Sequence, residues 1–506
     1  MLKKNIILII LSLELFGCSY FEKQSSDIKT DCAITIPRQS IKQLIQCAQS
    51  GDAVSQYNLG VRYRDGIDIQ QDFEQSFYWT QRAATQGLAE AEANLSWFYE
   101  TGFGTPKNPE QAFFWAKKAA KKKIPIAINN LGSYYQKGFG TSINLELGAT
   151  YFLQAAEESN LSLAQVNLGF AYFYGNGVPQ NTERALFWTK KAVEQGDSQA
   201  MTNLGKFYKE LGQLNEAFMW TEKAAIMGNS LAEANLGFMY ANGIGVNADK
   251  DNAWFWLDKS MKQHNSYAFF LMGTLYSQSN PTFPFDEAKA YKYYQKAAEM
   301  GNAQAQNNLA NWLMNGRYIP KNETEALKWY EKAAEKNSIE AQYRLAQLYQ
   351  NDDIKNYEEA IYWYEKVIKQ DDYLDTQINL GHCYYLQGYY EKAFYCYEKL
   401  AEQGIALGQR NLGVCYIKGQ GVEKSYSKAV YWFEKAATQN HPEAQNSLGI
   451  MYYAGHGVPQ DYAQARIWFE KAAAQNLPEA QTFLGDIYKL GQGVPQNYRQ
   501  ARYWYE

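Results

Sequence analysis

The chain is short of the residues that usually carry chemistry. Its 506 residues include only six cysteines and four histidines. The net charge is -4, with acids and bases interspersed. No broad basic field is there to gather nucleic acid, which speaks against a nucleic-acid partner. His264, His382, His441 and His456 lie far apart along the sequence, which makes no metal-ligand set, and no metal site is expected. HExxH, the phosphate-loop GxxxxGK[ST], the nucleophile elbow GxSxG and CxxC are all missing. The sequence therefore gives no ground for a catalytic residue or a cofactor.

What is present is repetition. The stretch Ala444–Ala473, AQNSLGIMYYAGHGVPQDYAQARIWFEKAA, reads as a helix, a Gly-rich turn and a second helix. Its Leu-Gly pair recurs with the glycine, or a small substitute, at Gly60, Ser96, Gly132, Gly169, Gly205, Gly237, Gly273, Ala310, Ala346, Gly381, Gly413, Gly449 and Gly485. Neighbouring markers stand 35 to 37 residues apart except at two places, where the gap is 32. A second marker runs in step, an aromatic such as Trp188, Trp432 or Trp468 followed by Lys-Ala-Ala or a near variant. Such a period is the mark of a helical solenoid of about thirteen helix-turn-helix units. One Tyr and one Trp per unit account for much of the 16% aromatic content. The last unit stops just after Trp504 without a polar capping repeat, as expected of a fragment, a frayed end or an end covered by a partner.

Spacing gives each position a job. Ala444, Leu448 and Tyr452 fall on one face of the first helix, at i, i+4 and i+8. Ala465, Trp468 and Ala472 do the same in the second. A glycine inside a helix costs about 1 kcal/mol relative to Ala, so the recurrent Gly449 position predicts close helix approach. The pattern predicts that the large Trp468 packs in the interior against the small alanines. Gly455 and Gly457 suit the left-handed end of a helix, Pro459 stops continuation, and Asp461 suits an N-cap. The repeated Gly-x-Gly is punctuation, because no strand precedes it. The two short spacings coincide with the turns at Gly212 and Gly388, which lack the second glycine.

The pattern A-x3-LG-x2-Y-x2-G-x-GV followed by A-x2-W-x2-KAA resembles the Sel-one-like repeat, a relative of the tetratricopeptide repeat. It covers roughly Ser40 to Glu506. Copies four, eleven and twelve fit almost completely, whereas copies nine and ten depart at Ala346, Lys366-Val367-Ile368 and Cys396. The resemblance implies an all-α, α/α solenoid, a right-handed superhelix of antiparallel helix pairs that serves as an adaptor or scaffold for protein partners. Bacterial members are often envelope or secreted proteins. A cysteine-rich subfamily is linked with penicillin binding and β-lactam hydrolysis, which makes a β-lactam-binding or hydrolysing protein the alternative reading. Serine acylation there would use Ser-x-x-Lys with SDN and KTG elements. Ser26–Lys29 and Ser425–Lys428 match the first element, without companions. Cys383, Cys396 and Cys415 are expected to be small buried thiols, with a Cys383–Cys396 bridge as the alternative.

The N-terminus reads as an address. Lys3 and Lys4 precede the apolar run Ile6 to Leu13, and Leu15-Phe16-Gly17-Cys18 follows. That run is too short to span a bilayer as a helix, which takes about 20 residues. It fits a signal peptide over residues 1–17. Leu15 and Gly17 before the cysteine resemble a bacterial lipoprotein signal, which implies lipidation of Cys18. Ser19 by the same resemblance favours the outer membrane, so the expected location is exported, facing periplasm or cell surface. Residues 18–39 read as a tether and 40–506 as the solenoid. Cys32 and Cys47 are candidates for a disulfide in an oxidising periplasm; two free thiols are the alternative.

Positions two and six residues after the alanine of each first helix project away from the Ala-Leu-Tyr face. They carry Tyr57, Val61, Trp97, Val166, Phe170, Phe238 and Phe270 in the first seven units. Later units place Asn307, Asn311, Gln347, His382, Arg410, Asn446 and Asp486 there. We expect a groove whose partner-binding anchors are Tyr57, Trp97, Phe170, Phe238 and Phe270, suited to a peptide or an extended protein segment. The alternative is that neighbouring helices bury these side chains as core.

Overall fold

The computed structural model describes residues 40–351, 353–370 and 373–506. The signal peptide, the tether, Cys18, Cys32 and Ser26–Lys29 lie outside the described residues. Among the described residues the chain forms 27 α-helices and no strand. It divides into two compact units, one running up to Met239 with Gly243–Asn247, the other made of Tyr240–Asn242 with Ala248–Glu506. Each unit is a succession of antiparallel helix pairs, so the all-α solenoid expected from the period is the fold.

Repeat 12, in the second unit, shows why the sequence folds this way. Its first helix is Pro442–Ala454 and its second is Tyr462–Ala473. Gly455, at φ 70°, closes the first helix with its N–H on the Met451 carbonyl. The Asp461 carboxylate accepts the backbone N–H groups of Ala463 and Gln464 at 2.9 and 3.0 Å. A cap of this kind stabilises its helix by about 1 kcal/mol. Ala444, Leu448, Ala465 and Ala472 are fully buried, and Met451 is buried beside them.

The interior aromatic is not the one expected. Trp468 is only half-buried, and the Lys471 ammonium lies 4.0 Å from its ring centre. The fully buried ring is the next residue, Phe469. A Cβ on Gly449 would stand 2.6 Å from Phe469 Cε1, so the glycine makes room for this ring. Gly413 with Phe433 and Gly273 with Tyr294 repeat the arrangement at 2.6 Å each. In the first unit Gly132 likewise makes room for Phe152 at 2.7 Å, while threonines take the place in other repeats, with Thr80 against Gly60 and Thr221 against Gly205. Where the marker is Trp the lysine of Lys-Ala-Ala covers it, as in Lys223 over Trp220 at 4.3 Å and Lys332 over Trp329 at 4.2 Å. Partial exposure under a cation suits indole, whose π face attracts charge.

The second glycine of the turn has a function of its own. A Cβ on Gly177 would fall 1.9 Å from the Leu145 carbonyl oxygen, and one on Gly421 would fall 2.2 Å from that of Tyr390. Each of these glycines lets a turn lie against the start of the preceding repeat's second helix. Asp68 and Tyr318 hold the corresponding left-handed position in repeats 1 and 8, at φ 58° and 66°.

A buried glutamine, unanticipated from sequence, ties three successive helices. Gln445 donates to the Ala437 carbonyl of the preceding repeat at 3.3 Å and accepts from Gln475, just past the end of its own second helix, at 2.9 Å. Gln409 does the same with Ala401 and Gln439, and Gln342 with Ala334 and Gln370. In repeat 1, Gln56 bonds Gln86 and the Ala48 carbonyl of helix Ile41–Gln49. That helix thus stands where the second helix of a preceding unit would stand. Leaving a buried amide unpaired costs about 1–3 kcal/mol.

Candidate functional site

The positions that the repeat leaves free lie on the first helices. In the first unit these include Ala53–Asp65, Ala89–Thr101, Ser162–Tyr174 and Ser198–Glu210. Tyr57, Trp97, Phe170 and Phe238 are all half-buried there, neither core nor fully exposed. The Tyr57 hydroxyl accepts from Asn94 at 3.2 Å, and burial holds its pKa well above the usual phenol value. Trp97 meets Phe98 and Phe103 at 5.0 and 5.6 Å between ring centres. Phe170 packs edge-on to Phe207 at 5.1 Å and stacks with Tyr174 at 5.9 Å. Val166, by contrast, is core.

Charge is laid over these rings. The Lys206 ammonium lies 5.4 Å from the Phe170 ring centre and 5.3 Å from that of Tyr174. The Tyr174 hydroxyl donates to Glu210 at 2.7 Å. Lys209 sits 5.8 Å from Phe238. Burial lowers the pKa of both lysines, with Glu210 opposing the shift. Repeats 2 and 3 add Glu100, raised by burial, which accepts the Tyr134 hydroxyl at 2.9 Å, and Lys137, lowered by burial. Partly dehydrated cations beside ring faces form a surface that gains from an incoming acceptor.

The second unit presents amides. Phe270 is half-buried between Tyr267 and Tyr294, each 5.9 Å away. Asn311 accepts from Tyr330 at 2.5 Å, His382 meets Gln350 at 3.3 Å, and Asp486 accepts from Tyr505 at 2.6 Å. Asn307 Oδ1, Arg410 Nε and Asn446 Oδ1 are buried from solvent without a hydrogen-bond partner among the described residues.

A regular row of asparagines was missed by sequence reasoning. Asn58, Asn94, Asn130, Asn167, Asn203, Asn235, Asn308, Asn379 and Asn411 each stand two residues before the marker glycine or its substitute. Asn167 reaches back to Asn129 at 2.9 Å and Asn379 to Tyr343 at 3.5 Å. Their fixed spacing is the signal that could have found them.

The remaining candidates have structural jobs. Ser425 is the N-cap of helix Tyr426–Thr438 and accepts the Lys428 backbone N–H at 3.4 Å. His441 caps the first helix of repeat 12, accepting the Ala444 N–H at 3.4 Å, and His456 stacks on Tyr426 at 4.6 Å. Cys383, Cys396 and Cys415 are free thiols, so Cys383 and Cys396 are not bridged. Burial pushes their pKa values up to about 12, 11 and 11, away from nucleophilic chemistry. Cys47 is half-buried in the helix Ile41–Gln49, and its proposed partner Cys32 lies outside the described residues.

The comparisons follow the same register. The family model for the Sel1 repeat matches thirteen times, at 53–88, 89–123, 125–160, 162–197, 198–229, 230–265, 266–302, 303–338, 339–372, 374–405, 406–441, 442–477 and 478–506. One similar solved structure is a protective antigen present in uropathogenic Escherichia coli strains displaying an SLR fold. It is 32% identical over 94% of this chain and 94% of that one, with a TM-score of 0.40. Another is a Sel1 repeat protein from Oxalobacter formigenes, 27% identical over 64% of this chain and 98% of that one, TM-score 0.36. Among curated proteins no sequence matches the chain. With consecutive matches from residue 53 to residue 506, the chain belongs to the Sel1 repeat family.

Proposed function

We propose that the chain is a non-catalytic interaction scaffold that holds an extended protein segment along its first-helix face. Membership of the Sel1 repeat family supports the scaffold class. The observation that carries the location lies in the first unit, where the half-buried rings of Phe170 and Tyr174 sit under the Lys206 ammonium. Such rings offer anchors to an extended ligand. The test is the double variant Trp97→Ser/Phe170→Ser. It should remain folded, melting within a few degrees of the parent, and should lose the proteins that crosslink to the parent in intact cells. A collapse of thermal stability would return these side chains to the core and overturn the reading.

We further propose that the scaffold works at the bacterial cell envelope, held by lipid on Cys18. Lys3, Lys4, the apolar run and Gly17-Cys18 support that address. Cys18→Ser should move the chain from the membrane fraction to the soluble exported fraction; unchanged partition would refute the anchor.

A further inference from the structure

One cluster lies outside both the repeat pattern and the first-helix face. The second helix of repeat 2, Pro109–Lys121, ends in a run of cations: Lys117, Lys118, Lys121, Lys122 and Lys123. Most other second helices finish with the single lysine of Lys-Ala-Ala in the last turn, as at Lys223, Lys296 and Lys435.

Two of the five have an internal partner. Glu92 is fully buried where most repeats carry the tying glutamine. Its Oε1 accepts Lys118 at 3.1 Å and Lys122 at 2.9 Å, and Lys122 also donates to the Gly87 carbonyl at 2.7 Å. The Glu92–Lys122 pair thus replaces the Gln56–Gln86 pair of repeat 1. Nothing in this exchange needs Lys117, Lys121 or Lys123. All three are exposed, and none forms an ion pair among the described residues.

Lys123 also holds a left-handed backbone at φ 63°. The matching place is taken by Gly87, Asn160, Gly196, Gly228, His264, Gly301, Asn337, Gly404, Asn440 and Asn476 in other repeats. A lysine is poorly suited to that conformation, so its presence there calls for a reason other than the turn. One turn before Lys117, Phe114 is 53% exposed, as Phe187 and Phe255 are at the same place in other repeats.

We propose that this helix end is a second docking surface, for an acidic, extended protein segment with an apolar residue to set on Phe114. Charge complementarity supports the occupant: three lysines without anions are gathered at one helix end beside an exposed ring. The surroundings favour a segment over a lipid surface. One repeat on, the equivalent positions of Lys121 and Lys122 are Glu157 and Glu158; one repeat back they are Thr85 and Gln86. A bilayer resting on the lysines would also press on those glutamates, whereas a segment following one helix end avoids them.

The experiment uses the full chain and a labelled peptide of alternating Glu and Asp around a central Leu, followed by fluorescence anisotropy at low salt. Binding should weaken as salt is added. The Lys117→Gln/Lys121→Gln/Lys123→Gln variant should bind about tenfold less tightly or worse, with an unchanged melting temperature. Phe114→Ser should lose a smaller part. Exchange of two exposed lysines elsewhere, Lys292→Gln/Lys328→Gln, should leave binding intact. Equal affinity of the triple variant, equal loss in the remote variant, or absence of any binding at low salt would overturn the proposal. So would capture of phosphatidylglycerol vesicles that depends on Lys121 and Lys123 in place of peptide binding.

Discussion

The interior of repeat 12 and the first-helix face of repeats 4 and 5 use similar side chains to opposite ends. In repeat 12 a ring, Phe469, is fully buried against a glycine that a Cβ would block. On the face of repeats 4 and 5, Phe170 stays half-buried, edged by Phe207 and covered by a lysine that lacks full hydration. The first arrangement recurs down the chain because the stack needs it. The second occurs where the repeat sets no demand, which is where a partner can be specified. The best-kept copy of a repeat therefore teaches the fold, and the free positions teach the function.

The largest expected effect lies in the interior. Phe469→Ala should destabilise the chain by about 3–5 kcal/mol, read as a fall in the denaturant midpoint. Trp468→Ala, removing a half-buried ring held under Lys471, should cost roughly half as much. If the tryptophan proves the costlier loss, the assignment of the interior ring is wrong. Next comes Gly449→Val, which drives a side chain into Phe469. Overpacking of this kind costs about 1–3 kcal/mol, and Phe469→Leu in the same chain should recover part of it. Additive losses in the double variant would show that the two do not touch.

The smallest effect is a matter of pH. Burial lowers the pKa of His441 against the opposing pull of Glu443, whose carboxylate lies 3.1 Å from Nδ1. The folded chain therefore prefers neutral imidazole, whose Nδ1 accepts the Ala444 N–H. Between the lowered folded pKa and the ordinary histidine value, the unfolded chain binds more protons, so stability rises with pH across that window. Acidification through about pH 6.5 should loosen repeat 12 slightly. His441→Asn, which keeps a cap without titrating, should abolish that slope in melting temperature against pH.

Much of this was legible in the sequence. The glycine at 449 announced close packing because its spacing repeated and its cost in a helix demanded a return. Asp461 announced a cap because its position follows a Pro-containing turn. The choice between Trp468 and Phe469 was not legible: they stand three and four residues after Ala465, and both fall on the apolar arc of a helix. The contact of Gly457 with the Tyr426 backbone is a contact between repeats, which periodicity within one repeat does not reveal. Gln445 was not legible either: polarity points to exposure, and that fails where a polar side chain is paired between neighbouring helices.

The central claim is that function resides on the first-helix face. Photo-reactive residues placed singly at Trp97, Lys206 and Lys190 in cells test it most directly, because Lys190 is exposed on the second helix of repeat 4. The account predicts a common protein adduct from Trp97 and Lys206 and none from Lys190. Adducts from Lys190 alone, or equally from all three, would contradict it.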